Sequence, residues 1–458
     1  MEEFKMRKFL ALLLALTMVF ALAACGEKAP AEEAPAEAPA EGEAAPAEEV
    51  TIQVAALQSA YMDKNPNMWK DVCDAFTAET GIKVELVTEK MLEDVIGPAI
   101  KAGNAPDFVH LSLGRELALP ETLVKDEALT ELTDILDITI PGEDVTVGDK
   151  VGGSFGNAST NPYGDERIFL APMFVSPCGL FYNAGLFEEK GWEVPTTWDE
   201  MWALGEVAKE EGMDLFCYAT HGYLQEFFFS LVYSVGGLDL FNAVTNYEEG
   251  VWETEGGKQV LDIMYKLAQN TNKDVPAQDN TQDFLKNQQL VLDNEALFIP
   301  NGPWIVGEMA DAPRAEGFKW GMAPIPAGQA GGDCYALNWN EQCWIPASAK
   351  HVDEAKQFMA FMYSDKAAEI FAAAGAIQPV DVAIETLDEL NASFYGIFTR
   401  PGVKSAVGAF ATTEAVEGVS TDESLFAAMN SLVSGNMTLE EYTEGVVAAF
   451  DALGAAKK

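Results

Sequence analysis

From residue 50 onward, the chain alternates between strand-like and helix-like patterns of apolar residues. Apolar residues two apart indicate half-buried strands, and apolar residues three or four apart indicate helices. In order, the patterns predict a strand at 50–54, a helix at 69–76, a strand at 82–86, a helix at 91–101 and a strand at 108–111. Strands and helices that alternate at such short spacings predict a mainly parallel sheet covered by helices.

Residues at helix ends add to this pattern. Thr197 with Glu200, and Thr438 with Glu441, have the spacing of capping boxes and predict two helix starts. Pro98 lies inside the helical pattern at 91–101. It predicts a kink or an interruption there, because proline lacks the N–H group that a helix interior needs.

The N-terminus has the features of a bacterial export signal. Basic residues precede an apolar run from residue 9 to residue 24, which is short for a membrane span. The run ends in Leu-Ala-Ala-Cys, a lipobox in which the cysteine, Cys25, becomes the lipidated first residue. We predict a signal peptide at 1–24 and a body outside the membrane; an uncleaved anchor is the alternative.

A segment of low complexity follows. Residues 29 to 49 contain only Ala, Pro and Glu apart from Gly42. Such an acidic composition, with so few large apolar groups, predicts a disordered tether. We therefore assign residues 25–49 to the lipidated cysteine and its tether, and expect folding to begin at residue 50.

Length and charge limit the classes of function. A chain of 458 residues predicts two domains. Its formal charge is −45, from 28 basic and 73 acidic residues. Nucleic-acid backbones and anionic lipid headgroups attract basic surfaces, so neither is an expected partner.

The sequence offers few groups for catalysis or metal binding. It has three His residues, none at a metal-ligand spacing, and it lacks the common nucleophile and phosphate-binding motifs. Among 73 acidic residues, chance pairs of carboxylates are expected and indicate no glycosidase. Cys334 and Cys343 are near enough in sequence for a disulfide, but buried free thiols are the favoured interpretation. We expect neither an enzyme nor a cofactor.

Trp304 is the first candidate for a binding residue. It follows an apolar run at 296–300 and a Gly-Pro turn, so it is expected to open a helix at the edge of a sheet. Ligands of open α/β sheets bind beyond the carboxyl ends of the strands, where an indole can cover the apolar face of a sugar ring. A tryptophan that fills space in the core is the alternative.

Several motifs resemble a known family. The stretch Leu-Phe-Tyr-Asn-Ala-Gly-Leu-Phe at 180–187, followed by Pro-Thr-Thr-Trp-Asp-Glu at 195–200, resembles the signature of family 1 extracellular solute-binding proteins. Ala-Gly-Asn-Ala-Pro-Asp at 102–107 and Asn-Gly-Pro-Trp at 301–304 are also similar to motifs of that family and stand in the same order. The segment at 298–309 also resembles binders of N-acetylglucosamine and chitobiose.

The resemblance implies the fold. It implies an α/β, two-lobed, periplasmic-binding-protein-like architecture of type II, with a ligand cleft between the lobes. By this analogy the chain crosses between lobes near Ser176 and again near residues 337–340. We expect an N-terminal lobe at 50–175 plus 337–378 and a C-terminal lobe at 176–336 plus 379–458.

The resemblance also implies function. We expect a monomeric, lipid-anchored lipoprotein on the outer face of the cell membrane. Its expected partners are a small-molecule carbohydrate and the transmembrane permease subunits of an ABC importer. Trp304 matches the stacking tryptophan of maltose-binding relatives. The full set of expected ligand-binding residues is Gln58, Tyr61, Ser176, His221, Tyr223, Gln225, Trp304 and Asn340.

Other functions remain as alternatives at this point. A receptor for a peptide, polyamine or metal chelate is one, and an extracellular enzyme or adhesin on a lipoprotein tether is another. A receptor for acidic sugars needs Arg or Lys in its cleft, and Arg115 is the one nearby candidate, so neutral sugars are favoured.

The lipobox generates a first prediction. Replacing Cys25 by Ser is expected to abolish membrane attachment and to leave ligand binding unchanged, because both lipobox and tether lie outside the folded body. Detergent partitioning of cells that express each form measures the attachment. A Cys25→Ser protein that still partitions with membranes would support the uncleaved anchor instead.

Overall fold

The computed structural model describes residues 49–59, 61–113, 117, 119–155, 160–163, 167–220, 223–279, 283–411 and 413–457. The predicted signal peptide and Cys25, and the predicted tether up to residue 48, lie outside these residues. Arg115 and His221 also lie outside them.

Nine strands are present in the described part of the chain. They are β1 (Thr51–Leu57), β2 (Lys83–Glu89), β3 (Phe108–His110), β4 (Ala171–Asn183), β5 (Asp214–Phe216), β6 (Ala296–Asn301), β7 (Trp320–Ala323), β8 (Cys334–Trp344) and β9 (Val403–Ala406). The main strand order is β2-β1-β3-β8-β4-β6-β5, with β7 paired to β4 and β9 paired to β8.

The described helices cover both faces of this sheet. They are α1 (Tyr61–Lys64), α2 (Met68–Thr80), α3 (Leu92–Lys101), α4 (Leu119–Lys125), α5 (Val147–Val151), α6 (Ala184–Lys190), α7 (Trp198–Glu210), α8 (Tyr223–Thr245), α9 (Glu255–Gln269), α10 (Val275–Gln278), α11 (Phe284–Leu292), α12 (Trp304–Glu308), α13 (Val352–Met362), α14 (Asp365–Ala373), α15 (Asp381–Glu385), α16 (Glu389–Tyr395), α17 (Met429–Val433) and α18 (Leu439–Ala455). Short 3₁₀ turns lie at Thr133–Asp137, Gly152–Ser154, Val251–Glu253 and Gly396–Thr399, and a π-helical turn lies at Asp422–Ala427.

The predicted order of the first elements is confirmed, from β1 through α2, β2 and α3 to β3. Helix α2 ends at Gly81, whose φ of 78° is left-handed and suits glycine. The predicted interruption of α3 does not occur, because the helix runs through Pro98 without a break. The carbonyl group of Asp94, which loses its partner at Pro98, belongs to an exposed residue and can bond to water.

The prediction of a mainly parallel sheet is correct only for its first strands. β1 pairs in parallel with both β2 and β3. β4, however, is antiparallel to β6, β7 and β8, and β8 is antiparallel to β3, so the sheet is mixed. The sequence pattern up to residue 111 contains none of these later strands.

Three hydrophobic cores divide the molecule. The first and second cores cover opposite faces of β1 and β3, and they draw on residues 52–174 and 343–383. The third core draws on residues 178–337 and 394–453. The chain therefore passes from one set of cores to the other along β4, returns along β8, and passes again between residues 383 and 394.

The Ala-Gly-Asn-Ala-Pro-Asp motif has a structural role. Its last residue, Asp107, is buried at the start of β3. The carboxylate accepts the backbone N–H groups of Gln53 at 2.9 Å, Lys350 at 2.9 Å and His351 at 3.0 Å. It thereby ties β1 and β3 to the segment that opens α13, since charged acceptors make the stronger hydrogen bonds.

Helix α8 and the cysteines belong to the interior. By length and composition α8 is apolar enough to cross a membrane, but its phenylalanines at 227, 228 and 229 are buried in the third core. The five cysteines of the described residues are free and buried, as predicted. Cys334 and Cys343 lie at opposite ends of β8, so the extended strand keeps their thiols apart.

Candidate functional site

Two aromatic side chains meet at the carboxyl ends of β5 and β6. Trp304 opens α12 three residues after β6, as predicted, and its ring lies over Gly302, where an added Cβ would be 2.2 Å from the indole. Tyr223 opens α8 a few residues beyond β5. The two ring centroids are 6.2 Å apart, and both side chains are half-buried. They form an aromatic wall with part of its surface open.

Carboxyl groups lie beside this wall. Glu308, at the end of α12, accepts a hydrogen bond of 2.6 Å from the Gln288 side chain. Burial raises the pKa of Glu308. Burial also raises the pKa of Tyr223, and the carboxyl groups of Glu308 and Glu226 add to the rise because they disfavour a second negative charge.

Glu226 is the most deeply buried carboxyl group of the site. It lies one turn after Tyr223 on α8 and is 7% exposed. Its Oε2 has no hydrogen-bond partner among the described residues, and the thiol of Cys178 on β4 is its hydrogen-bonding neighbour. Burial raises its pKa to about 8, so the carboxyl group holds a proton near neutral pH.

A second group of polar side chains surrounds Ser176 on β4. Tyr61, which opens α1, donates a hydrogen bond of 3.2 Å to Glu341 Oε1, and Tyr395, which ends α16, donates one of 3.0 Å to the Val175 carbonyl. Burial raises the pKa of both phenols, that of Tyr395 to about 12. The Ser176 hydroxyl opposes the rise at both, since it can donate to either phenol oxygen.

Glu341 connects this group to the first core. Its Oε2 lies 3.2 Å from Nε2 of the buried His110, while its Oε1 accepts from Tyr61. Packing of the His110 ring against Trp69 and Phe174, with centroids 5.1 and 5.2 Å away, fixes the imidazole. The carboxylate is therefore held by Tyr61 through Oε1, lies beside the imidazole through Oε2, and remains 20% exposed.

The predicted site residues fall into two groups. Trp304 and Tyr223 come together at the wall, and Ser176 and Tyr61 come together on the crossing strands. Cys178 links the groups, because it follows Ser176 on β4 and contacts Glu226 on α8.

The remaining predicted residues contribute less. Asn340 lies on β8 opposite Val175, and its buried Oδ1 has no partner among the described residues. Gln58 follows β1 and donates its backbone N–H to Glu89 at 3.0 Å. Gln225 is half-buried in the first turn of α8, with no contact that assigns it to either group.

Sequence reasoning missed four residues of the site: Cys178, Glu226, Glu341 and Tyr395. For Glu341 a signal was present, because Asn-Trp-Asn-Glu-Gln at 338–342 is a mostly polar run inside a strand with apolar ends. For Tyr395 and Glu226 nothing in the local pattern distinguished them from other helical residues.

The arrangement suits an uncharged ligand with flat apolar faces and many hydroxyl groups. Aromatic rings can cover the faces, and carboxyl, hydroxyl and amide groups can accept or donate at the rim. The groups that shift the pKa values of Glu226 and Glu308 include no Lys or Arg. Within the described ranges, no cluster of three His, Cys, Asp or Glu residues could hold a metal ion.

The family model described as bacterial extracellular solute-binding protein matches residues 60–369, which is more than half of the chain. The chain belongs to this family. The resemblance that the motifs at 102–107, 180–200 and 301–304 indicated is thereby confirmed.

Two curated relatives of this family member are sugar-binding proteins by name. The diacetylchitobiose binding protein NgcE of Streptomyces coelicolor is 28% identical over 309 residues, 64% of this chain and 61% of the relative. The multiple sugar-binding protein of Streptococcus mutans is 25% identical over 232 residues, 47% of this chain and 53% of the relative. The matches thus span less than two thirds of the length of either relative.

Solved structures share the fold. RafE of Streptococcus pneumoniae, in its apo form, matches with a TM-score of 0.65 at 18% identity, over 90% of this chain and 100% of that one. The solute receptor AcbH matches with a TM-score of 0.66 at 18% identity, over 89% and 100%. These similarities confirm the predicted α/β, two-lobed fold of periplasmic binding proteins.

Glu226 generates a prediction about pH. Its folded-state pKa of about 8 lies above the ordinary value of 4.5, so between these values the folded protein keeps a proton that the unfolded chain releases. Stability from this group is therefore present at low pH and is lost as pH rises toward 8. Relative to Glu226→Gln, the wild-type free energy of unfolding is expected to fall by up to about 1.4 kcal/mol per pH unit in that window.

Denaturant melts of both proteins between pH 5 and pH 8 measure this difference. Glu206→Gln, at an exposed position of α7, is the matched control and is expected to keep the wild-type pH dependence. Parallel stability curves for wild type and Glu226→Gln would mean that Glu226 is ionised in the folded protein.

Proposed function

We propose that the protein captures a sugar outside the cell and delivers it to the permease of an ABC importer. Membership of the extracellular solute-binding family supports capture of a solute, and the names of both curated relatives support a sugar. The lipobox at Cys25 supports attachment to the outer face of the membrane. The protein acts in this proposal as a monomer and performs no chemistry on its ligand.

The aromatic wall is the observation that carries the proposal. Trp304 and Tyr223 stand where the ligands of open α/β sheets bind, beyond the carboxyl ends of β5 and β6. Glu308 and Glu226 lie beside them and can engage hydroxyl groups at the rim of a ring that stacks on the wall. Among the described residues, the groups that act on the pKa values of these carboxyl groups include no cation that an acidic sugar could use, which favours a neutral ligand.

An N-acetylated sugar is the first candidate within this class. The segment 298–309, which contains Trp304 and Glu308, resembles binders of N-acetylglucosamine and chitobiose, and one curated relative is a diacetylchitobiose binding protein. Specificity depends on a few contacts in the pocket, so a relative can bind a different sugar. The relative's ligand is therefore the first sugar to test.

A thermal-shift screen of the Cys25→Ser protein tests the proposal. The panel contains N-acetylglucosamine, N,N′-diacetylchitobiose, galactose, raffinose, maltose and glucuronate, with a peptide mixture and spermidine as non-sugar solutes. A true ligand at 100 times its Kd is expected to stabilise the fold by about 2.7 kcal/mol. Stabilisation by a non-sugar solute, with no response to any sugar, would reject the proposal.

The lobes are assigned in the same proposal. Residues 50–175 plus 337–378 form the N-terminal lobe, and residues 176–336 plus 379–458 form the C-terminal lobe. The change of hydrophobic core along β4 and β8 supports the first two crossings, whereas the first core extends to residue 383, a few residues beyond the third boundary. We infer that a ligand bound by groups from both lobes favours a closed form, because that form alone lets both groups engage it.

Small-angle scattering is expected to detect this closure as a smaller radius of gyration in the presence of a saturating sugar. The control is the same protein with a sugar that gives no thermal shift. An unchanged radius at saturation would contradict hinge closure.

Trp304 provides the residue-level prediction. Trp304→Ala is expected to weaken binding of the sugar found in the screen by about 2 to 4 kcal/mol, some 30-fold to 1,000-fold, because it removes a buried aromatic contact. Calorimetry at a temperature where the variant is folded measures the affinity, and denaturant melts measure stability.

Trp202→Ala is the matched control, since Trp202 is also half-buried but stacks on Trp198 at 5.1 Å. It is expected to lose stability through the cavity it leaves and to bind normally. A Trp304→Ala protein with affinity within threefold of wild type, as judged against the range above, would remove Trp304 from the site.

A further inference from the structure

Trp339 is the one aromatic residue among the large apolar side chains that are exposed on the described part of the chain. Its exposed fraction is 37%, although it lies in the middle of β8 with buried residues on either side along the strand. An indole left in solvent forgoes the gain from burial, which is about 25 cal/mol for each Å² of apolar surface. A ligand that covers the ring of Trp339 would recover part of this gain.

The strand register gives the direction of the ring. Trp339 lies directly opposite Ser176 in the antiparallel ladder of β4 and β8, so the two side chains project from the same face of the sheet. Glu341 and Cys178 lie two residues further along their strands and share that face. Through Cys178 and Glu226, the face leads to Tyr223 and the aromatic wall.

Trp339 and the aromatic wall are separate platforms. Tyr223 contacts the rings of Trp304 and Phe284, with centroids 6.2 and 6.4 Å away. Trp339 makes no ring contact with any residue that the structure describes. Because the platforms do not touch, each can cover a different ring of one ligand.

Glu341 supplies the polar group that such a platform needs. One carboxylate oxygen accepts a hydrogen bond of 3.2 Å from Tyr61 and the other lies 3.2 Å from His110 Nε2, so the group has a defined position before any ligand arrives. It remains 20% exposed on the face that carries Trp339. A fixed acceptor beside an exposed indole matches a pyranose ring, whose apolar face stacks while its hydroxyl groups donate at the edge.

We propose that Trp339 and Glu341 form a second sugar subsite on β8, so that the cleft takes a glycan of at least two rings. The proposal rests on the sugar-binding function proposed above and adds the minimum number of sugar rings in the ligand. The first ring stacks on the wall of Trp304 and Tyr223, and the second ring stacks on Trp339 and donates a hydroxyl group to Glu341.

Ligand length provides the test. Calorimetry with N-acetylglucosamine and N,N′-diacetylchitobiose, and with galactose and raffinose, compares one ring with two or more of related chemistry. For the pair that binds, Trp339→Ala is expected to lower the affinity for the longer sugar by about 30-fold, as for loss of an aromatic hot spot. The affinity for the single-ring sugar is expected to stay within about threefold of the wild-type value. Trp304→Ala is expected to weaken both.

Two variants serve as controls. Trp339→Phe keeps an aromatic face and is expected to recover most of the affinity for the longer sugar. Leu238→Ala removes another exposed apolar side chain, which is 56% exposed on α8, and is expected to change nothing. Since Trp339 is exposed, its truncation is expected to leave the denaturant midpoint close to that of wild type.

Quenching of tryptophan fluorescence by acrylamide gives a second readout. The longer sugar is expected to protect part of the wild-type emission, and this protection is expected to be smaller in Trp339→Phe, where the first ring still covers Trp304 but no indole lies under the second ring. If Trp339→Ala loses equal affinity for the single-ring and the longer sugar, or loses no affinity for either, the second subsite is rejected. Either result leaves the proposal of sugar binding intact. A wild-type protein that binds neither pair of sugars but binds a non-sugar solute would reject the proposed function itself.

Discussion

The pairing of β4 with β8 is the interaction on which the rest of the structure depends. Their antiparallel register runs from Ala171 opposite Cys343 to Cys178 opposite Leu337. At one end of this ladder the two strands belong to the first two cores, and at the other end to the third. Each set of cores therefore lies mainly on its own side of this ladder, and the chain connects the two sides once more between residues 383 and 394.

That position explains why polar residues occur inside two long buried strands. Where the strands cross between cores, their side chains lack an apolar layer to pack against, and Ser176, Asn340 and Glu341 occupy these places. Buried polar groups need partners, and the phenols of Tyr61 and Tyr395 approach Ser176 from different segments. Tyr395 packs against both the first and the third core, so it supports the crossing from outside the ladder.

The sequence predicted local structure well and the sheet only in part. Apolar periodicity and end signals located β1, α2, β2 and β3, the capping boxes at Thr197 and Thr438, and the helix start at Trp304. It did not predict the antiparallel strands, because pairing between β4 and β8 joins residues more than 150 positions apart and leaves no periodic signal near either strand. At Pro98 a local rule predicted an interruption that does not occur, since the helix continues through the proline.

The same limit applies to the candidate site. Trp304 could be proposed because it follows a strand end and a turn, whereas Tyr223 was expected at the site without any predicted strand before it. Glu226, Cys178 and Tyr395 are defined by contacts between distant segments, and their chemistry follows from burial that the sequence does not specify. Glutamate is usually an exposed residue, and the packing of α8 against β4 is what buries Glu226 beside the thiol of Cys178 and raises its pKa.

The electrostatics of the site follow from this burial rather than from the net charge. A chain with a formal charge of −45 has carboxylates everywhere, and most of them lie on exposed surfaces where water screens them. Glu226 and Glu308 differ because burial raises their pKa values, so each binds a proton more readily than an exposed carboxyl group does. Near neutral pH, Glu226 can therefore donate a hydrogen bond as well as accept one, whereas an ionised carboxylate on the exposed surface can only accept.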